Sequence, residues 1–232
     1  MTILREERIG NQRLILGDCL AIMPTLGRFD AVVTDPPYGI GFSRGSGGGI
    51  GGGAYVSKFD GRKIAGDSRP FDPAPVMGRA DRLILWGGNH YASSLPPSPS
   101  WLVWDKRAAS GHTNSFADCE LAWTNLGGVA RMFRHHWDGM MRASERGIPR
   151  VHQTQKPIAL MEWCLGFMPD ALSILDPYMG SGTTLVACQR MGRQGTGIEI
   201  DPEYFDAACR RVEECIRQPP LLAAMTEQEP LL

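Results

Sequence analysis

Short apolar runs, broken by glycine and proline, set the rhythm of this chain. Arg13-Leu14-Ile15-Leu16, Ala31-Val32-Val33-Thr34, Arg82-Leu83-Ile84-Leu85-Trp86, Leu172-Ser173-Ile174-Leu175 and Gly195-Thr196-Gly197-Ile198-Glu199-Ile200 are the clearest of them. Runs this short, bounded by turn residues, predict strands of a parallel sheet buried on both faces. Elsewhere the apolar spacing lengthens to that of a helix. Leu20, Ile22, Met23 and Leu26 mark one short helical face. Longer helices are predicted from Pro157 to about Met168, from Thr183 to about Met191 and from Pro202 to about Gln218. Pro157 suits a first helical turn, where its missing N–H costs nothing. Trp101-Leu102-Val103-Trp104 and Cys119-Glu120-Leu121-Ala122-Trp123 predict two more strands. No helical pattern separates them, so they are expected to pair antiparallel. The fold class is α/β.

Two stretches break the pattern. From Gly39 to Pro73 eleven glycines replace it, and a loop that long is usually functional or without fixed structure. It reads as a flexible, glycine-rich lid. Asn125 to Arg150 is the most basic part of the chain: Arg131, Arg134, Arg142, Arg146 and Arg150 stand against Asp138 and Glu145, with His135 and His136 beside them. The tail after Pro219-Pro220 is expected to fray.

The 232 residues suit one domain, 1–232, and 43% hydrophobic with 21% charged content is ordinary for a globular fold. A net charge of −1 removes any global basic field, so contact with nucleic acid must rely on local patches. Cys19, Cys119, Cys164, Cys188, Cys209 and Cys215 show no Cys-x-x-Cys spacing, which predicts reduced structural thiols and no zinc. No residue cluster calls for another metal. No signal peptide and no run long enough to span a bilayer stand out, so a cytoplasmic protein without a membrane partner is expected.

Two loops carry the candidate chemistry. Asp35-Pro36-Pro37-Tyr38 follows one predicted strand, and Asp176-Pro177-Tyr178-Met179-Gly180-Ser181-Gly182-Thr183-Thr184 follows another. Both are expected at the carboxyl ends of parallel strands, where open α/β sheets bind ligands. The glycine turn lets a cofactor approach the backbone closely. Glu199, on the next strand, sits where a nucleotide-binding βαβ unit carries the acid that accepts ribose hydroxyls. No Gly-Lys-Ser/Thr follows the glycines, which argues against ATP hydrolysis.

The first loop suits an exocyclic amine. Such a nitrogen is a poor nucleophile because its lone pair is delocalised into the ring. The Asp35 carboxylate and the Pro36 carbonyl can accept its two N–H bonds and draw it toward tetrahedral geometry. The prolines restrict where that carbonyl points. Tyr38 can stack on a base taken out of a duplex. As a bare tetrapeptide, a proline turn after a strand is nearly as good a reading. The glycine unit decides between them.

In this order, and with His152-Gln153-Thr154-Gln155-Lys156-Pro157 between them, the motifs resemble the beta-class amino-methyltransferases of DNA, which use S-adenosylmethionine. The resemblance spans residues 12–215, and Gln153 stands where the family usually has proline. It implies that Asp35, Pro36, Pro37 and Tyr38 are catalytic. It implies that Asp176, Tyr178, Gly180, Ser181, Gly182 and Thr183 form the cofactor turn, with Asp176 near the methionine portion and Glu199 on the ribose. Asp18 would contact the cofactor's adenine, and Thr154 and Lys156, ahead of Pro157, would lie near its carboxylate. It further implies a Rossmann-like, circularly permuted sheet of seven mostly parallel strands with one antiparallel. Starting at the glycine turn, the strands would run cofactor strand, Glu199 strand, Asp18 strand, Asp35 strand, Trp86 strand, then the Trp104 and Trp123 pair. Asp35 and Asp176 would lie on neighbouring strands near the switch point.

The implied activity is methylation of adenine N6 in DNA. N4 methylation of cytosine is the alternative, since the same loop serves both amines, although serine more often replaces Asp35 in the cytosine enzymes. A third reading is a nucleic-acid-binding module of the same fold without turnover. C5 methylation of cytosine needs a nucleophilic cysteine, usually in a Pro-Cys pair, and the chain has no such pair. The glycine-rich loop is either a flexible lid or a segment closing on DNA through Arg44, Lys58, Arg62 and Lys63. Arg131, Arg134, Arg142 and Arg146 are either a solvated face or part of a small target-recognition segment, 125–150. A homodimer, common in the resembled family, would add a second DNA-binding surface.

Overall fold

The computed structural model describes residues 2–41, 65–107, 117–138, 141–152 and 154–218. Its strands are β1 (Arg5–Ile9), β2 (Gln12–Leu16), β3 (Phe29–Thr34), β4 (Ala80–Trp86), β5 (Trp101–Asp105), β6 (Cys119–Thr124) and β7 (Arg131–Arg134). A small ribbon, β8 (Trp137–Asp138) and β9 (Met141–Arg142), stands apart from the main sheet, and β10 (Ser173–Asp176) and β11 (Gln194–Glu199) complete the set. The helices are α1 (Cys19–Ile22), α2 (Ala74–Met77), α3 (Ile158–Gly166), α4 (Thr183–Arg190) and α5 (Pro202–Arg217).

One nine-stranded sheet runs in the order β1-β2-β11-β10-β3-β4-β6-β5-β7. From β2 to β4 every neighbouring pair is parallel. β6 is inserted between β4 and β5 and runs antiparallel to both. The inner seven strands are thus those expected from the sequence, with one antiparallel member. Two edge strands are additional: β1, antiparallel to β2, and β7, parallel to β5. Both escaped the apolar pattern because most of their exposed positions are charged, as edge strands commonly are to discourage pairing with other chains. Spatial order also differs from the run read off the chain. The Asp18 strand lies beyond the Glu199 strand rather than beside the Asp35 strand, because the chain reverses its winding at β10. β10 itself pairs with β3, so the Asp35 and Asp176 loops are neighbours at the switch point, as expected.

Strand periodicity explains both cores, since alternate side chains point to opposite faces. Leu14, Leu16, Ala31, Val33, Ile84 and Trp86 face α3, α4 and α5, whose Leu160, Cys164, Leu185, Val186, Phe205 and Val212 are buried with them. Ile15, Val32, Leu83, Leu85 and Ile198 face the other way, onto Ile22, Met23, Phe71 and Val76. With helices on both faces, the parallel strands are covered as such sheets require. Every loop at their carboxyl ends therefore opens along one edge of the sheet. Among the described residues no helix is long and apolar enough to cross a membrane, and no group of three His, Cys, Asp or Glu could hold a metal ion.

Candidate active site

Thr34 closes β3 fully buried, and its hydroxyl donates to Asp176 Oδ1 at 2.7 Å, bolting the ends of β3 and β10 together. The Tyr178 N–H donates to the same oxygen at 3.2 Å. Burial pushes the Asp176 carboxyl up to about 6, against the opposing hydrogen bonds from Thr184, Thr34 and the Tyr178 backbone.

After Asp176 the chain turns sharply. Gly180 and Gly182 both take positive φ, 51° and 76°, conformations that favour glycine. Gly182 caps α4, and a Cβ placed there would come within 2.8 Å of the Ala208 Cβ on α5. This glycine therefore serves close helix packing as well as the turn. The Gly180 N–H donates to Glu199 Oε2 at 2.9 Å, while Glu199 Oε1 accepts from the N–H groups of Ile200 and Asp201 at 2.9 and 2.8 Å. Burial pushes the Glu199 carboxyl up to about 7, and those three backbone donors oppose the rise. Arg211, reaching across from α5, donates to the Ser181 carbonyl, the Ser181 hydroxyl and the Thr183 hydroxyl at 2.7, 2.9 and 3.0 Å. Asp18 caps α1 by accepting from the Leu20 N–H at 2.9 Å, and its neighbour Gly17 donates to the Glu199 carbonyl.

The Asp35 loop is built differently. Pro36 is buried, and Asp35 Oδ1 accepts from the Tyr38 hydroxyl at 2.5 Å. The Tyr38 ring stacks on His90, centroids 4.8 Å apart, and packs against Gly87, where a Cβ would overlap it. Asp35 Oδ2 accepts from Lys156 Nζ at 2.5 Å. The Lys156 ammonium also lies 2.9 Å from Glu120 Oε2, an ionic contact without hydrogen-bond alignment, and Lys106 holds Glu120 Oε1 at 2.9 Å. Burial pushes the Asp35 carboxyl up, with Lys156 opposing. At Glu120 burial also acts upward, but Lys156 and Lys106 more than offset it and hold the carboxyl at about 2. Burial alone would lower the Lys156 ammonium; Asp35 and Glu120 raise it instead, so it stays charged.

Asp18, Asp35, Pro36, Pro37, Tyr38, Thr154, Lys156, Asp176, Tyr178, Gly180, Ser181, Thr183 and Glu199 line one cleft of about 1230 Å³. Pro157 and Gly182 lie outside it, as the N-caps of α3 and α4. Lys156 reaches the cleft with its ammonium engaged by two carboxylates, and Thr154 contacts the His152 ring nitrogen at 3.1 Å. Arg131 and Arg134 are exposed on β7, three positions apart, which sets them on opposite faces of the strand. Arg142 donates to the Ile148 carbonyl and lies over the Trp137 ring, and Arg146 donates to the Arg142 carbonyl, so both brace their own loop. Arg44, Lys58, Arg62 and Lys63 lie outside the described residues. The ends of that glycine-rich segment are tied together by Asp67, whose carboxylate accepts from the Gly39 and Ile40 N–H groups and whose carbonyl accepts from Gly41.

Sequence reasoning missed Glu120, Lys106, His90 and Arg211. One signal was available for Glu120: an acid in the middle of an otherwise apolar strand, which a buried sheet does not hold without a cation beside it.

A family model of N6/N4 DNA methylases matches residues 97–210, which include the Asp176 turn and Glu199 and leave the Asp35 loop outside the match. The type II methyltransferase M2.DpnII of Streptococcus pneumoniae is 38% identical over 78 residues, 33% of this chain and 29% of that protein. The chain thus spans less than a third of that relative's length. Among solved structures, the M1.HpyAVI–SAM complex superposes with a TM-score of 0.53 at 21% identity, covering 86% of this chain and 99% of that one. PvuII DNA methyltransferase, cytosine-N4-specific, gives 0.60 at 12% identity over 93% and 94%. At such identities these two establish the fold. The family-model match makes residues 97–210 similar to the N6/N4 DNA methylases.

Proposed function

We propose that this protein transfers a methyl group from S-adenosylmethionine to the N6 amine of adenine in DNA, on a base turned out of the duplex. The observation that carries the proposal is the pairing of β3 with β10, which opens the Asp35 loop and the Asp176 turn into the same cleft. The turn fits the cofactor on chemical grounds. Asp176 and Glu199 are carboxylates whose proton affinity burial has raised, and a ligand bearing ammonium and sulfonium charges relieves that cost. Glu199 Oε2, with one backbone donor, retains lone-pair capacity for a ribose hydroxyl, whereas Oε1 already accepts two. Asp18, beside Glu199, extends the site toward the adenine end. Thr154 and the remaining N–H of Lys156 are the groups proposed near the cofactor carboxylate.

Bound there, the cofactor would supply an electrophilic methyl, which the nitrogen lone pair would attack directly while the C–S bond breaks and the neutral thioether leaves. The protein's part is to prepare the nitrogen. Asp35 and the Pro36 carbonyl accept its two N–H bonds, localising the lone pair and orienting it, so much of the rate gain is positional. Asp35 then takes the proton that the nitrogen sheds once its new bond has formed. Tyr38 offers its ring for stacking against the extruded base. Aspartate at position 35 favours adenine, because serine more often holds that place in cytosine enzymes of the resembled family. DNA contact is assigned to Arg131, Arg134, Arg142 and Arg146, and to Arg44, Lys58, Arg62 and Lys63 of the glycine-rich segment.

The test is incubation with radiolabelled S-adenosylmethionine and mixed genomic DNA, followed by digestion to nucleosides and mass spectrometry. Label in N6-methyldeoxyadenosine is expected. Label in N4-methylcytosine would keep the mechanism and overturn the base. Cofactor binding without label in any DNA or RNA would defeat the transferase reading in favour of a non-catalytic module.

A further inference from the structure

Four buried or half-buried charges alternate in sign along the cleft: Asp35, Lys156, Glu120 and Lys106. They come from four separate parts of the chain, namely the loop after β3, the segment before α3, β6, and the residue after β5. Lys156 is the most enclosed, with 6% of its side chain exposed. Burying charges is costly even when they are paired, and an apolar replacement is often as stable. A purely structural network would have no need to end on the carboxylate proposed to meet the amine. This one does, and all four members line the cleft.

We propose that Glu120 is a positioning residue for methyl transfer: by sharing the Lys156 ammonium with Asp35, it fixes the Asp35 carboxylate for the amine and governs that carboxylate's proton affinity. Lys106 completes the arrangement by neutralising Glu120 from the other side. The inference rests on the proposed function for the role of Asp35, although the electrostatic coupling does not.

Among the described residues, the groups facing Asp35 are few. Lys156 and Tyr38 touch it, Glu120 repels it at longer range, and the Tyr91 hydroxyl and the Asp176 carboxylate act from β4's end and from β10. Of these, Lys156 is the one cation, and Glu120 competes for it. Removing the Glu120 charge leaves Lys156 to Asp35 alone and removes a like-charge repulsion, so Asp35 must bind its proton less tightly. Removing the Lys156 charge leaves two carboxylates without their shared cation, so Asp35 must bind its proton more tightly. The two variants are thus expected to act with opposite sign, which a packing role does not produce.

The experiment compares Glu120→Gln, Lys156→Met and wild type in two readouts. One is the pH dependence of single-turnover methyl transfer. The other is a carbon-13 carboxyl NMR titration of the cofactor-free protein, with the Asp35 resonance identified by its loss in Asp35→Asn. In Glu120→Gln the acid limb and the Asp35 titration should move down by about one pH unit, and in Lys156→Met up by at least as much. Transfer at the plateau should fall several-fold in Glu120→Gln, with the dissociation constant for S-adenosylmethionine unchanged. Movement of both variants in the same direction, or of neither, overturns the proposal. If Glu120→Gln does not fold, Lys106→Gln decides: it frees Glu120 to draw harder on Lys156, and the Asp35 titration should rise. If wild type transfers no methyl group, the proposed function fails, yet the NMR titration still tests the coupling.

Discussion

The two halves of the cleft are made in different ways. On the cofactor side, nearly every contact lies within one βαβ unit and the helix after it: Asp176, Gly180, Ser181, Gly182, Thr183 and Glu199, with Arg211 of α5 as brace. Backbone N–H groups and glycine conformations do most of the holding. On the side proposed for the amine, four charges from separate parts of the chain, Asp35 first among them, pair in series, and side chains do the holding. A site built from backbone tolerates substitution of its neighbours but not of its glycines. A site built from paired charges responds to any member. The halves should therefore separate under mutation, the amine side losing rate and the cofactor side losing affinity.

The largest expected effect is at Asp35. Asp35→Ala removes the acceptor for the amine and leaves Lys156 facing Glu120 alone, so methyl transfer should fall by roughly 100-fold or more. Calorimetry should find cofactor affinity nearly intact. Full turnover in this variant would end the assigned role. Next is Glu199→Ala, which removes the proposed ribose acceptor together with the partner of the Gly180 N–H. Cofactor affinity should weaken by roughly 10- to 100-fold, in keeping with the loss of charge-assisted hydrogen bonds. Transfer at saturating cofactor should change far less. An unchanged dissociation constant would move the ribose elsewhere and blur the contrast between the halves.

Gly182→Ala sharpens the contrast in a third currency. The added Cβ would meet Ala208 at 2.8 Å while φ stays at 76°. Either α4 and α5 must part or the turn must relax, and the expected cost is about 1–3 kcal/mol in a urea unfolding midpoint. Cofactor affinity should follow only as the turn moves. If stability is untouched, the packing of α4 on α5 does not depend on this glycine.

This division also governs what could be read from the chain. The unit of glycine turn and Glu199 was legible because its structure is local: glycines at fixed offsets after a strand, and an acid on the next strand. The apolar runs placed the inner seven strands for the same reason, since burial on both faces leaves an unmistakable pattern. β1 and β7 were not legible, because Arg5-Glu6-Glu7-Arg8-Ile9 and Arg131-Met132-Phe133-Arg134 lie at sheet edges, where charge and exposure hide the strand. The partnership of Glu120 with Lys156 was illegible for a different reason. No spacing rule links positions so far apart, and only the insertion of β6 beside β4 brings them together. Lys156 itself was singled out, but as a neighbour of the cofactor rather than as the partner of Asp35.

The smallest expected effect concerns pH, and it belongs to the cofactor side. Burial raises the Asp176 carboxyl to about 6 and the Glu199 carboxyl to about 7 in the free protein. Ribose hydroxyls need Glu199 as an acceptor, and a cationic ligand favours Asp176 ionised, so bound cofactor should lower both values. Linkage then fixes the sign. Above about 7 both groups are already ionised and affinity is at its full value. As pH falls toward 6, the free protein takes up a proton that the complex must release, and affinity declines by roughly ten-fold at most over that unit. Calorimetry in buffers of different ionisation enthalpy should register the proton released on binding. In Glu199→Gln the decline between pH 8 and 6 should flatten, leaving a weaker slope at lower pH from Asp176. An affinity that instead rises with falling pH would mean that the turn binds a proton together with its ligand, and neither carboxylate could then be serving a cation as proposed.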